Sequence, residues 1–176
     1  MRFQREIDTW EKLGFLNPHN LTKEESLLLP IKYGTRIAVM TPSGKIILIK
    51  VTSENYSTLV GGGIEEGESI DEGMIRECLE ESGYTVSLLT NLGYIELWRK
   101  KYRRFVFGFL VKAIGEPKPL NLTKEEIEYG HEVSEYSIIE AEKIIESDIK
   151  KTNTLASVRS LMFLREAKKY LENVVK

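Results

Sequence analysis

The chain has a single cysteine, Cys78, among its 176 residues. That excludes an intramolecular disulfide and any zinc cluster built on cysteines, and it suits a reducing compartment such as the cytoplasm. Neither sign of charge dominates: 25 Lys and Arg face 27 Asp and Glu, a net charge of −2. A protein that coats nucleic acid or an anionic membrane needs a basic excess, so neither is an expected partner. No run approaches the ~18–20 apolar residues that cross a bilayer. Residues 1–15 are charged throughout and lack the apolar stretch of a secretory signal. The two histidines, His19 and His131, lie far apart without ligand spacing. No Gly/Ser linker, low-complexity tract or internal repeat divides the chain, and its length suits one domain spanning 1–176.

What is present is ordered by texture. Residues 1–30 read as an N-terminal helical extension. Ile7, Trp10 and Leu13 recur at helical spacing, and Thr22-Lys-Glu-Glu25 forms a capping box before three leucines that Pro30 terminates. Short β-type runs follow. Arg36–Met40 and Lys45–Val51 flank Thr41-Pro-Ser-Gly44, a tight turn between antiparallel strands. Ser57–Val60 leads into Gly61-Gly62-Gly63, and residues 70–82 read as a helix. Tyr84–Leu97 and Phe105–Val111 read as a strand pair. They are joined by the basic stretch 99–104, a solvated turn or a source of cations for a phosphate-bearing ligand. An acidic loop over 124–132 precedes a helix at 138–147. The last segment, 152–174, places Leu155, Val158, Met162, Ala167, Leu171 and Val174 near one helical face. That face is broad enough to cover a sheet or to meet a second copy, making a homodimer a candidate assembly.

Chemistry concentrates between Gly62 and Tyr84, where eight of 23 residues are acidic and one is basic. Ser69-Ile-Asp-Glu72 is a capping box, so the helix has a defined start. Ile70, Met74, Ile75, Cys78 and Leu79 span one half of its circumference and form the expected buried face. Glu77, Glu80 and Glu81 share another face through i+3 and i+4 spacing. Carboxylates held that close repel one another, which implies a cation to relieve them. Mg²⁺ fits, because hard cations take oxygen ligands and keep waters that a phosphate can displace. Arg76 can pair with a carboxylate and orient it. Glu65, Glu66, Asp71 and Glu72 read as surface or capping residues. Gly83 suits a left-handed helix cap.

Gly62, Glu68, Arg76-Glu77-Cys78-Leu79-Glu80-Glu81-Ser82-Gly83-Tyr84 resembles the Nudix box, G-x5-E-x7-R-E-U-x-E-E-x-G-U with U bulky and apolar, at every fixed position. The resemblance extends more loosely over 34–147. It implies an α+β fold, an α/β/α sandwich whose mixed sheet lies between helices, with additional N-terminal and C-terminal helices. Departures are mild: Cys78 replaces a larger aliphatic residue, Val60 stands where many members have Pro, and Tyr136 where many have Trp.

The resemblance implies a Mg²⁺-dependent (or Mn²⁺-dependent) pyrophosphohydrolase. Its substrate would be a small-molecule nucleotide, either a (deoxy)nucleoside triphosphate or a nucleoside diphosphate derivative. Water attacks phosphorus, and bound cations neutralise the diphosphate and acidify the attacking water. On these positions Glu77, Glu80 and Glu81 would hold metal, joined by the Gly62 carbonyl. Glu68 would support the loop or bind through water, and Arg76 would orient Glu77. Glu77 or Glu81 is the candidate base, with Glu128 or Glu132 of the acidic loop as an additional base or ligand. Tyr102, 18 residues after Tyr84, is a candidate substrate contact. The alternative reading is a Nudix-fold module that binds nucleotide without cleaving it.

Overall fold

In the computed structural model, which describes residues 2–174, three short and three longer helices surround one seven-stranded sheet. The elements are α1 (Gln4–Ile7), β1 (Lys12–Leu16), α2 (Lys23–Leu27), β2 (Ile31–Met40), β3 (Ile46–Val51), β4 (Tyr56–Thr58) and α3 (Ile70–Ser82). There follow β5 (Thr85–Arg99), β6 (Tyr102–Ile114), α4 (Lys124–Glu128), β7 (His131–Tyr136), α5 (Ile138–Thr152) and α6 (Leu155–Val174). The sheet runs β1-β5-β6-β2-β3-β4, with β7 on β3. It is mixed: β2 lies parallel to β6 and β1 parallel to β5, and the remaining pairs are antiparallel. No helix among the described residues is long and apolar enough to cross a membrane.

Strand alternation makes two cores. Ile37, Val39, Ile47, Ile49, Phe105, Phe107 and Phe109 face α3 and the N-terminal Phe3 and Ile7. Ala38, Leu48, Leu59, Ile95, Val106 and Leu110 face α5 and α6, where Ala141, Ile145, Phe163, Leu164 and Ala167 cover them. The result is the expected helix–sheet–helix sandwich. Phe107, Phe109 and Phe163 have no exposed surface, so truncating one of them to Ala costs about 3–5 kcal/mol.

Three regions differ from the sequence expectation. The N-terminal extension is not wholly helical: Leu13 lies in strand β1, whose Phe15 and Leu16 pair with Glu96 and Leu97 of β5. Tyr94 N–H donates to Glu11 O at 2.8 Å, and Lys12 Nζ reaches Glu96 Oε2 at 2.6 Å. An open strand edge on β5 therefore overrides the local helical spacing. The basic stretch is mostly strand rather than turn. Only Lys100 and Lys101 lie between β5 and β6, while Arg103 pairs with Glu96 at 2.9 Å. On α6, Phe163, Leu164 and Ala167 are buried, together with Ser157 and Ser160. Ser157 Oγ donates to Ser57 O at 2.8 Å, and Leu59 N–H donates to Ser160 Oγ at 3.0 Å. On the face that suggested a homodimer, Ala167 is packed on the sheet and α5 of its own chain, Met162 and Leu171 are partly buried against the same core, and Val174 is exposed.

Candidate active site

Helix α3 is held at both ends. Ser69 Oγ accepts from Glu72 N–H and the Glu72 carboxylate accepts from Ser69 N–H, while Gly83 closes the C-terminus with φ of 75°. Between these caps the helix does not bury the stripe that its apolar residues suggest. Ile70, Met74 and Cys78 are buried, but Ile75 and Leu79 are 51% and 38% exposed. In their place Glu77 and Glu81 turn inward and are 5% and 4% exposed. The helix is rotated so that two carboxylates lie against the glycine loop, and the exposure of two aliphatic side chains accompanies that rotation.

The loop meets them with backbone. Gly61 N–H donates to Glu81 Oε2 at 2.7 Å. A Cβ on Gly62 would stand 2.5 Å from Glu77 Oε1, so only glycine lets the chain approach this closely. The carbonyl of Gly62, the expected metal ligand, accepts the N–H of Thr35 at 3.0 Å at the strand edge of β2 and keeps a second lone pair.

Arg76 joins loop to helix. Its Nε and Nη2 donate to the two oxygens of Glu68 at 2.8 and 3.0 Å, and Nη2 also donates to Gly63 O at 2.8 Å. Its Nη1 reaches Glu77 Oε1 at 2.9 Å and Glu80 Oε2 at 3.0 Å. The fork of Glu68 and Arg76 is the bidentate geometry that orients carboxylates firmly. It holds the Glu68 carboxyl below its usual range, and Glu68 in turn accepts Glu65 N–H at 2.9 Å. Burial, reinforced by the neighbouring Glu81 charge, pushes Glu77 the other way, up to about 7, against the opposing field of Arg76. Burial likewise raises the Cys78 thiol, leaving it an inert core group.

The acidic segment brings two residues, Glu126 and His131, beside Glu81. Glu81, Glu126 and His131 offer ligand atoms within 4.8 Å of one another. His131 Nδ1 lies 3.5 Å from Glu81 Oε1, and that buried nitrogen has no hydrogen-bond partner. Glu128 is exposed, nearly on the far side of α4 from Glu126. Glu132 is next to His131 on β7, so alternation sends it to the opposite face of the sheet, where it lines a hollow with Lys50, Tyr136 and Ile144. Glu126 also caps α4, accepting Thr123 N–H at 2.7 Å. Its Thr-x-x-Glu pattern was the sequence signal available for that position. Tyr102 lies at the start of β6 between cations: Lys32 Nζ is 4.9 Å and the Arg104 guanidinium 5.4 Å from its ring centroid.

Buried carboxylates with mutual repulsion, hard oxygen donors and an unpartnered imidazole nitrogen fit a divalent cation. Beside them an open cleft of about 700 Å³ is lined by Tyr33, Gly63, Ile64 and Glu66 with Arg2, Lys32 and Arg104, large enough for a nucleotide-sized ligand.

Comparison with known proteins gives the same outline. A family model described as NUDIX domain matches residues 30–157, well over half of the chain. The putative 8-oxo-dGTP diphosphatase of Bacillus subtilis (strain 168) is 37% identical over 60 residues, covering 34% of this chain and 40% of that protein. The chain therefore matches less than half the length of that relative. Among solved structures, the MutT protein from Methanosarcina mazei Go1 aligns with TM-score 0.57 and 18% identity, covering 82% of this chain and 99% of that one. A NUDIX hydrolase from Nitrosomonas europaea aligns at 0.59 and 18% identity, over 82% and 90% of the two chains. A structure of ADP compounds hydrolase aligns at 0.62 and 18% identity, over 81% and 74%. At such identities the structural likeness concerns the fold.

Proposed function

Since the chain belongs to the Nudix family, we propose that it is a Mg²⁺-dependent pyrophosphohydrolase that cleaves a nucleoside diphosphate linked to another moiety. The observation that carries this reading is the burial of Glu77 and Glu81 against the glycine loop, with Glu80 beside them on Arg76. Each of these charges loses solvation at this depth, and Gly61 N–H on Glu81 and Arg76 on Glu77 only partly offset that loss.

Glu77, Glu80 and Glu81 are the residues that would hold the cation, with Glu126 and His131 extending the group at Glu81. A divalent cation bound there supplies positive charge to the diphosphate and lowers the pKa of water. Arg76 fixes Glu77 and Glu80, and through Glu68 it keeps the loop closed on the helix. Glu126, on the acidic segment beside Glu81, joins Glu77 and Glu81 as a candidate to take a proton from the attacking water in preference to Glu128 and Glu132, while His131 Nδ1 serves as a ligand. The cleft beside Gly63 receives the nucleoside. Cys78, buried and unpaired, is compatible with a reducing cytoplasm.

The names of the relatives put 8-oxo-dGTP and ADP compounds first in a substrate panel with dNTPs, nucleotide sugars and dinucleoside polyphosphates. Release of nucleoside monophosphate should require Mg²⁺ or Mn²⁺. It should fall by about 10²–10³-fold in Glu80→Gln if that carboxylate supports charge at the reacting group. Tight nucleotide binding without turnover in any metal would instead assign the chain to nucleotide sensing.

A further inference from the structure

Residues 2–10 run over the face of the sheet that α3 covers. Phe3 and Ile7 are each 5% exposed and share a core with Ile70, Met74 and Cys78 of α3. The Phe3 ring meets Tyr33 edge-on at 4.7 Å, and Trp10 meets Phe107 and Phe109, each at 5.2 Å. Helix α1 is a single turn, too short to hold itself, so these side chains fix the segment in place.

From that anchorage Arg2 reaches the turn Glu65-Glu66-Gly67-Glu68, which leads into α3. Its Nη1 donates to Glu65 O at 2.9 Å and its Nη2 donates to Glu68 O. One planar guanidinium therefore spans both ends of the turn, and it lies 4.5 Å from the centroid of the Phe3 ring. Glu65, Glu66 and Gly67 are exposed, so packing contributes little to holding the turn. Its own bonds are Glu68 N–H to Glu65 O at 3.3 Å and Glu65 N–H to Glu68 Oε2 at 2.9 Å. Among the described residues, no other side chain from outside residues 63–76 hydrogen-bonds to it.

The turn matters because it carries Glu68. That carboxylate takes the fork of Arg76, and Arg76 Nη1 fixes Glu77 and Glu80. Contacts thus run unbroken from Arg2 through the turn, Glu68 and Arg76 to the carboxylates of α3. An exposed arginine bonded to two carbonyls adds little to global stability, because water competes for the same groups. Its effect is local: it confines Glu68 to the orientation that Arg76 needs.

We propose that Arg2 is a positioning residue for the carboxylate site, clamping the 65–68 turn so that Glu68 and Arg76 hold Glu77 and Glu80 ready for a cation. The inference rests on reading those carboxylates as a cation site. It gives the N-terminal segment, which precedes the family match at 30–157, a part in the chemistry. Arg2 also lines the open cleft, so the test must separate positioning from direct contact with nucleotide.

Mn²⁺ binding followed by electron paramagnetic resonance in nucleotide-free wild type, Arg2→Ala and Arg2→Lys makes that separation, with amide hydrogen exchange on the metal-free proteins. Arg2→Ala should bind Mn²⁺ about three- to tenfold more weakly, below the ~10–100-fold that follows loss of a ligand's direct partner. Its Glu65 and Glu68 amides should exchange about tenfold faster, while its melting temperature stays within about 4 °C of wild type. Arg2→Lys, which keeps one donor, should fall between the two. Turnover by Arg2→Ala should recover as Mg²⁺ is raised. Unchanged Mn²⁺ affinity in Arg2→Ala overturns the proposal, and weaker nucleotide binding alone would make Arg2 a substrate contact. A large fall in melting temperature with no rescue by Lys overturns it as well, since the arginine would then be structural. A wild type that binds no Mn²⁺ removes the cation reading instead. The clamp then stands if loop exchange is faster in Arg2→Ala and falls if exchange is equal.

Discussion

Replacing Glu77 by Gln should stabilise the protein when no divalent cation is present. The carboxylate is 5% exposed and its pKa is pushed up to about 7 by burial and by Glu81. In the unfolded chain it titrates near 4.5. A folded-state pKa above the unfolded value means that the native state binds the extra proton, so stability falls as pH rises from about 4.5 to about 7. Taken over that interval, the ionised group opposes folding by about 3 kcal/mol at pH 8 and by about 1 kcal/mol at pH 5.5. Gln retains an oxygen for Arg76 Nη1, and Arg76 keeps its bidentate partner Glu68 and its contact with Glu80. The variant should therefore recover most of that energy, about 6–12 °C in melting temperature at pH 8 for a chain of this size. Thermal and urea unfolding in EDTA at pH 5.5 and pH 8 measure both quantities. Wild type should lose about 2 kcal/mol more than Glu77→Gln between these values. The same wild-type protein should gain more from Mg²⁺ at pH 8, where protons no longer compete for the carboxylate. A variant less stable than wild type at pH 8, or a wild type whose stability does not change relative to the variant, would refute the electrostatic reasoning.

Other consequences follow from the same contacts. Gly62→Ala places a methyl group 2.5 Å from Glu77 Oε1; displacing that carboxylate should lower kcat by about 10² while circular dichroism stays native. Glu126→Gln and His131→Ala should each reduce activity or metal affinity by about 10–100-fold. Glu128→Gln and Glu132→Gln, read on the same substrate, should stay within about twofold of wild type, as exposed groups away from the carboxylates.

The parts legible in the sequence are those specified locally. Both ends of α3 come from side chains beside them, Ser69 with Glu72 and then Gly83, and the turn at Thr41–Gly44 likewise needs no distant partner. The rotation of α3 was not legible, because Ile75 and Leu79 complete an apolar stripe that the fold leaves partly outside so that Glu77 and Glu81 can face the loop. Strand β1 was hidden for another reason: Lys12-Leu-Gly-Phe-Leu16 becomes a strand only by docking on β5. Choosing among the acidic residues near 128 required the sheet register. His131 and Glu132 alternate across β7, and only the pairing of β7 with β3 decides which side each one meets. Arg2 lies 63 residues from Glu65, and no sequence spacing links the two.

The most direct measurement is a Mn²⁺ titration followed by electron paramagnetic resonance on wild type, Glu77→Gln and Glu81→Gln. The account expects bound Mn²⁺ in wild type, competed by Mg²⁺, and affinity lowered by about tenfold or more in each variant as a ligand is lost. Equal Mn²⁺ binding in all three proteins would contradict it, because the inward carboxylates of α3 would then hold no cation.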